Sequence, residues 1–382
     1  MRSLCICVLI LGIAILPIKG GEGCRMIVSD GNMSCYAEKI ANLNLIHDFV
    51  TQNTKFTKGV SAPFAGCIGE DLVIAGGCNF PDVPAVEGGR KKFYNAVYAI
   101  DVNVENCRWK YLSSLPFPVA YGVSVVTEKG LVCIGGQNEQ GTLDLVFLLK
   151  ADGQILSLPS LPVPIDNGGA AVYGTTVYVT GGNQPNGGKA LYSLDLSSPV
   201  TWKRLTDYPG YRRVQPVVLA ASGEVYLIGG YDFSMETQKC VLSVDMLRYD
   251  IASGEWSTCD VLVSEKGGAQ RCMVGGSGVV SDGNLILAGG VNYSVFKQAM
   301  EGKAPEDYMM RAVDWYRFND DILLYDLIGK NWRVMYDVQG MARAGGILLE
   351  HDHLLYMVCG ELKPGIRSPQ ITLFSLSNLA GK

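Results

Sequence analysis

Near the C-terminus, Glu361-Leu-Lys-Pro-Gly-Ile-Arg367 places a carboxylate, an ammonium (Lys363) and a guanidinium within seven residues around a Pro-Gly turn. Partial burial raises a carboxyl pKa toward the range in which the group can take and return a proton, so Glu361 is a candidate acid or base. The plain alternative is a solvated loop glutamate, and Lys363 beside Pro-Gly is equally readable as a solvated turn residue. Other chemistries are short of residues. The chain has three histidines: His47 near the start, and His351 and His353 flanking Asp352 in a hairpin turn. Ser-His-Asp hydrolysis and a copper radical centre both lack partners, and His-x-His reads as an exposed turn with no evident partner cluster. No Cys-x-x-Cys spacing occurs, so neither a zinc site nor a redox motif is supported.

The elements that must position Glu361 are announced by a repeat. A short apolar run closed by two glycines recurs at Asp71–Gly77, Gly130–Gly136, Thr176–Gly182, Glu224–Gly230 and Asn284–Gly290, with a degenerate sixth copy at Leu354–Gly360. Each run is of strand length, and a spacing of roughly 40 to 50 residues, stretched by insertions, marks an array of like units. Downstream of the glycines, Tyr249 is followed seven residues later by Trp256, and Tyr325 by Trp332 at the same distance; Tyr98 with Trp109 and Tyr192 with Trp202 are looser versions. Gly-Gly, Tyr, Trp resembles the kelch repeat, which implies an all-β, six-bladed kelch-type propeller. The residue after the second glycine is Cys78, Gln137, Asn183, Tyr231, Val291 and Glu361 in turn. Pseudo-symmetry sets these six at one height around the axis, and Glu361 alone is a carboxylate.

Cys359-Gly-Glu-x-Lys-Pro-Gly-x-Arg367 resembles the Asn-Gly-Glu-x-Lys-Pro-Gly-x-Arg segment of the sialic acid (N-acetylneuraminate) mutarotase family, whose members are exported six-bladed kelch proteins. Gly289-Gly-Val-Asn-Tyr-Ser-Val-Phe296 and Pro209-Gly-Tyr-Arg-Arg-Val-Gln215 resemble further family segments, as do Phe64-Ala-Gly, Glu87-Gly-Gly-Arg-Lys-Lys92 and Ala120-Tyr-Gly-Val-Ser124. Their order differs. In the family the Glu/Arg motif lies mid-chain with the Phe-Ala-Gly blade after it, whereas here that blade opens the ring and the motif closes it. The chain thus resembles the cyclically permuted branch, which a closed ring tolerates because its termini meet. The resemblance implies interconversion of the α and β anomers of N-acetylneuraminate, or a related acidic sugar, by ring opening and closing. It makes Glu361 the acid/base and suits Arg367 to the substrate carboxylate. Lys363, Arg213, Asn292 and Arg343 are further candidates for substrate contacts, and no metal or cofactor is needed. The alternative from another class is a non-catalytic propeller that binds sialoglycans or a protein partner through its loops.

Composition bounds the rest. A net charge of −5 without a Lys/Arg run leaves nucleic-acid binding no electrostatic footprint. Arg2 and the apolar run to Leu16, broken at Pro17, read as a signal peptide over residues 1–23, shorter than a membrane span. The expected product is exported, periplasmic or secreted. Cys24 leaves a lipid anchor open, although Gly21 stands where leucine is usual. Residues 24–62 read as a lead-in and 63–382 as the propeller. The last repeat lacks an outermost strand, and residues near 49–58 are expected to supply it and so close the ring. Insertions at 79–93 and 291–320 both follow a Gly-Gly and so project from one face, the second with a short helix expected from Glu306 to Phe318. Cys133 and Cys359 are expected to pack as small apolar residues, Cys24 with Cys35 is a plausible disulfide, and Asn32 and Asn292 match the glycosylation pattern.

Overall fold

The structure is a computed structural model and describes residues 38–42, 55–102, 109–185 and 187–375. Six four-stranded antiparallel sheets stand around one axis. Their innermost strands are Phe64–Ile68, Val123–Thr127, Gly169–Tyr173, Val217–Ala221, Gly276–Ser281 and Ile347–His351, each neighbouring the next and the last neighbouring the first. Six of the seven buried apolar clusters lie at the six junctions between adjacent blades. Each sheet therefore buries both faces, which is why the strands carry continuous aliphatic runs. The Tyr-Trp marks work at these junctions. Tyr249 opposes Trp256 and Tyr325 opposes Trp332 across neighbouring strands, with ring centroids 5.3 and 4.9 Å apart. The indole of Trp256 reaches back to the carbonyl of Thr206 at 2.9 Å, and that of Trp202 to Pro159 at 2.8 Å, each tying its blade to the one before.

The Gly-Gly pairs let one blade approach the next. Gly76 and Gly77 have φ of 69° and 93°, and a Cβ on Gly76 would lie 2.5 Å from the carbonyl oxygen of Val119. No other residue fits there. In the degenerate sixth copy Cys359 takes the left-handed conformation instead, at φ 57°.

The ring is closed from the N-terminal side, as expected, but by an earlier segment. Glu38–Asn42 pairs antiparallel with Gln370–Ser375 as the outermost strand of the sixth blade. Of the expected 49–58, residues 49–54 lie outside the described residues, and Phe56–Lys58 is a single 3-10 turn whose Phe56 is buried between the first and last blades. The helix of the long insertion is also displaced. Helix α1 spans Tyr293–Met300, capped by the Asn292 side chain on the Val295 amide, while 306–318 holds only the 3-10 turns Tyr308–Met310 and Val313–Tyr316. The glycosylation reading of Asn292 falls with this, since the residue is 4% exposed. Asn32, Cys24 and Cys35 lie outside the described residues. Cys133 and Cys359 are buried, and the seven described cysteines are free. No helix among the described residues is long and apolar enough to cross a membrane.

Candidate active site

Glu361 and Arg367 meet because the chain between them is a hairpin. Glu361–Lys363 pairs antiparallel with Ile366–Arg367, Pro364 and Gly365 (φ 84°) form the turn, and Glu361 stands directly opposite Arg367. The backbone of Glu361 is pinned to Ala344 by hydrogen bonds of 2.7 and 3.0 Å. Its equivalents are held alike: Cys78, Gln137, Asn183 and Tyr231 bridge to Ser61, Ala120, Asp166 and Val214, and the Val291 amide donates to the carbonyl of Val274. The six positions read from the repeat therefore do lie at one height.

One residue beyond each bridge, the chain forms a second ring. Ala62, Tyr121, Asn167, Gln215, Gly275 and Gly345 all have φ between 50° and 68°. Each donates its backbone N–H to the carbonyl of the one before, Ala62 to Gly345, at 2.7–3.1 Å. Six backbone hydrogen bonds thus encircle the axis without a break. All six residues line a central cavity of about 750 Å³ that runs from Glu361, Asn292 and Tyr308 at one mouth to Glu350 and His351 at the other. Its shaft is walled by small and aliphatic side chains of the innermost strands.

Charge gathers at the Glu361 mouth. The Glu361 carboxylate forms an ion pair with the Arg367 guanidinium and stays a quarter exposed, toward the cavity it lines. Burial pushes its pKa up, against the pull of Arg367 and then of Lys91. Arg367 is itself 6% exposed and lies over the Phe80 ring at 5.2 Å. The Lys91 ammonium donates to the Tyr121 hydroxyl at 2.8 Å, and the Cys78 thiol approaches that hydroxyl at 3.3 Å. Burial pushes the Tyr121 phenol well up and the Tyr308 phenol up to about 12, and the charge of Glu361 adds to both. One half-buried carboxylate, paired with Arg367, therefore shares a cavity mouth with two neutral phenols, one of them accepting from Lys91, an arrangement suited to moving protons on an anionic ligand.

The other sequence candidates serve the scaffold. Arg213 is buried and makes a two-point contact of 2.9 and 2.8 Å with Asp245, while donating to the carbonyls of Gly229 and Asp245. Arg343 occupies the same repeat position in the sixth blade and donates to the carbonyls of Met357, Cys359 and Gln370 and to the Thr372 hydroxyl. Both clamp a blade from within and neither lines the cavity, because each guanidinium has backbone acceptors that only the folded ring brings together. Lys363 donates to the carbonyl of Arg311 at 2.6 Å, tying the hairpin to the long insertion. Asn292 lines the mouth, but its oxygen caps α1 and its amide nitrogen donates to Glu265. Arg367 stands behind Glu361 rather than in the cavity wall, so it is placed to hold that carboxylate. His351 lies within reach of Glu70 and Asp352, the donor atoms of the three within 4.8 Å of one another. The fold thus supplies His351 with a neighbour the sequence did not reveal, Glu70, at the mouth remote from Glu361.

Sequence reasoning missed Lys91, Tyr121, Phe80 and Tyr308 as site residues. Lys91 and Tyr121 fell within segments noted for their family resemblance, but nothing local to them says that they meet. Both insertions do converge on the hairpin, as their placement after Gly-Gly requires: Phe80 of the first underlies Arg367, and the carbonyl of Arg311 in the second accepts from Lys363.

The family model described as N-acetylneuraminate epimerase matches residues 28–158 and 158–380. Proteins named N-acetylneuraminate epimerase are similar in sequence. That of Haemophilus influenzae (strain PittEE) is 31% identical over 237 residues, 59% of this chain and 60% of the relative. That of Pasteurella multocida (strain Pm70) is 30% identical over 228 residues, 56% of this chain and 58% of the relative. Each match thus spans about three fifths of the relative's length. A solved structure described as "Structure of YjhT" superposes with a TM-score of 0.60 at 16% identity, covering 84% of this chain and 96% of that one, which shows the shared fold.

Proposed function

The chain belongs to the N-acetylneuraminate epimerase family, and from that premise we propose that it interconverts the α and β anomers of N-acetylneuraminate or a closely related acidic sugar. The observation that carries this reading is Glu361, one half-buried carboxylate held by Arg367 at the mouth of the axial cavity. Anomers of such a sugar exchange by opening the pyranose to its keto form and reclosing on the other face. Glu361 takes the proton of the anomeric hydroxyl on opening and returns it on closing. Arg367 positions the carboxylate and keeps it ionised against burial. With Lys91 it makes the mouth locally positive in a chain of net charge −5, which favours an anionic sugar over a neutral one. The reaction needs no redox step, so the proposal includes no cofactor.

Two further readings go with it. The family model matches in two consecutive segments while pairwise matches stop at three fifths, as a chain-order comparison of a permuted ring would do. We therefore take the ring as cyclically permuted, which moves the termini and leaves the axial site unchanged. An exported protein, periplasmic or secreted, suits an enzyme that meets free sugar outside the cytoplasm. The test is proton NMR of freshly dissolved α-anomeric N-acetylneuraminate, with a neutral hexose followed in parallel. Acceleration of the acidic sugar alone supports the proposal. No acceleration of either returns the chain to the binding-scaffold reading.

A further inference from the structure

Ring opening needs two proton movements at once, one off the anomeric hydroxyl and one onto the ring oxygen, and Glu361 accounts for the first. We infer that Tyr121, braced by Lys91, supplies the second: its phenol hands a proton to the sugar's ring oxygen as the C–O bond breaks. This rests on the reading of Glu361 given above.

The residue type of Tyr121 sets it apart. Its five equivalents in the axial backbone ring, all at positive φ, are alanine, asparagine, glutamine and two glycines, and Tyr121 at φ 61° is the one aromatic among the six. A bulky residue in the left-handed region is strained and persists at sites where the strain serves a purpose. Its hydrogen bonding points the same way. The Lys91 ammonium can only donate, so the Tyr121 oxygen accepts from it, and the Cys78 thiol is the second group against that oxygen. The phenolic hydrogen is left to the cavity that Tyr121 lines together with Glu361. Burial and the nearby Glu361 charge keep the phenol protonated until a stronger base appears, and the developing alkoxide of an opening sugar ring is one.

The proton count closes. On opening, the anomeric O–H proton passes to Glu361 and the O–H electron pair becomes the carbonyl π bond. The ring C–O pair stays on the ring oxygen, which takes the Tyr121 proton, and the phenolate left behind faces the Lys91 ammonium at 2.8 Å. On closing, the hydroxyl returns its proton to Tyr121 and attacks the other carbonyl face, while the carbonyl oxygen takes the proton from Glu361. Both residues end as they began.

Initial rates of anomer relaxation across substrate concentration would be measured for wild type, Tyr121→Phe, Tyr121→Asn, Lys91→Met and the Tyr121→Phe/Lys91→Met double variant, with melting temperatures alongside. Tyr121→Phe is expected to lose about 10²-fold in kcat with KM within about threefold. Tyr121→Asn, which suits positive φ, is expected to melt no lower than wild type and yet to be as slow. The double variant should have a kcat no lower than that of Tyr121→Phe, because in the chemical step Lys91 acts through the phenol. The inference is overturned if wild type beats the blank and Tyr121→Phe keeps kcat within about threefold. A wild type no better than the blank overturns the anomerase reading itself, and this inference with it.

Discussion

At the residue scale, the pH dependence of Glu361 follows from its neighbours. Burial raises its carboxyl, so protonation, which removes the base, sets in above the ordinary carboxyl range as pH falls. The acid limb of kcat/KM is therefore expected above pH 4.5, the ordinary value for a glutamate. Arg367 pulls the carboxyl down, so Arg367→Met should slow the enzyme and move that limb to higher pH; a pH–rate profile of the two proteins reads the shift. A limb that moves downward would mean that Arg367 does not act through Glu361. Glu361 was legible in the sequence because the repeat register singles it out among six equivalent positions. The roles of Arg213 and Arg343 were not, because a guanidinium's function depends on its acceptors. For Arg213 these are Asp245 and two backbone carbonyls on strands of the same blade, which nothing in Pro-Gly-x-x-Arg foretells.

At the element scale, Arg213 and Arg343 act as clamps at the entrance of blades four and six. Arg213→Met is expected to lower the free energy of unfolding by about 3 kcal/mol, the low end for a buried ion pair, since Asp245 is about one third exposed. Its urea midpoint should fall while kcat and KM per folded molecule stay at wild-type values. A raised KM with unchanged stability would restore Arg213 to the substrate site. The second strand of each blade was legible to its first residue, at Asp71, Gly130, Thr176, Glu224, Asn284 and Leu354, because each apolar run closed by glycine coincides with one strand. The long insertion could not, because α1 and its 3-10 turns are held by tertiary partners: Lys297 of α1 on the carbonyl of Cys240, and Lys363 on that of Arg311.

At the scale of the whole molecule, closure is what makes the site. The axial ring of six backbone hydrogen bonds includes one from Ala62 to Gly345, which joins the first blade to the last. The outermost strand of that last blade comes from Glu38–Asn42. A chain shortened to begin after Asn42 exposes the edge of Gln370–Ser375 and is expected to unfold at lower temperature and to self-associate. Light scattering during a thermal melt would show it, and an unchanged monomeric melt would contradict closure by this strand. The need for a closing strand was legible, since the sixth repeat ends one strand short. Its position was not, because Glu38–Asn42 reads Glu-Lys-Ile-Ala-Asn and carries no apolar alternation to mark it as the partner of Gln370–Ser375.

The central claim is that the Glu361 carboxylate moves the proton in anomer exchange. It is tested most directly by following freshly dissolved α-anomeric N-acetylneuraminate by proton NMR with wild type and with Glu361→Gln at equal catalytic concentration. Wild type is expected to reach the anomeric equilibrium well ahead of the blank, and Glu361→Gln to be slower by about 10²–10⁴-fold, the span of general acid–base catalysis. Equal acceleration by the two proteins would contradict the assignment of Glu361.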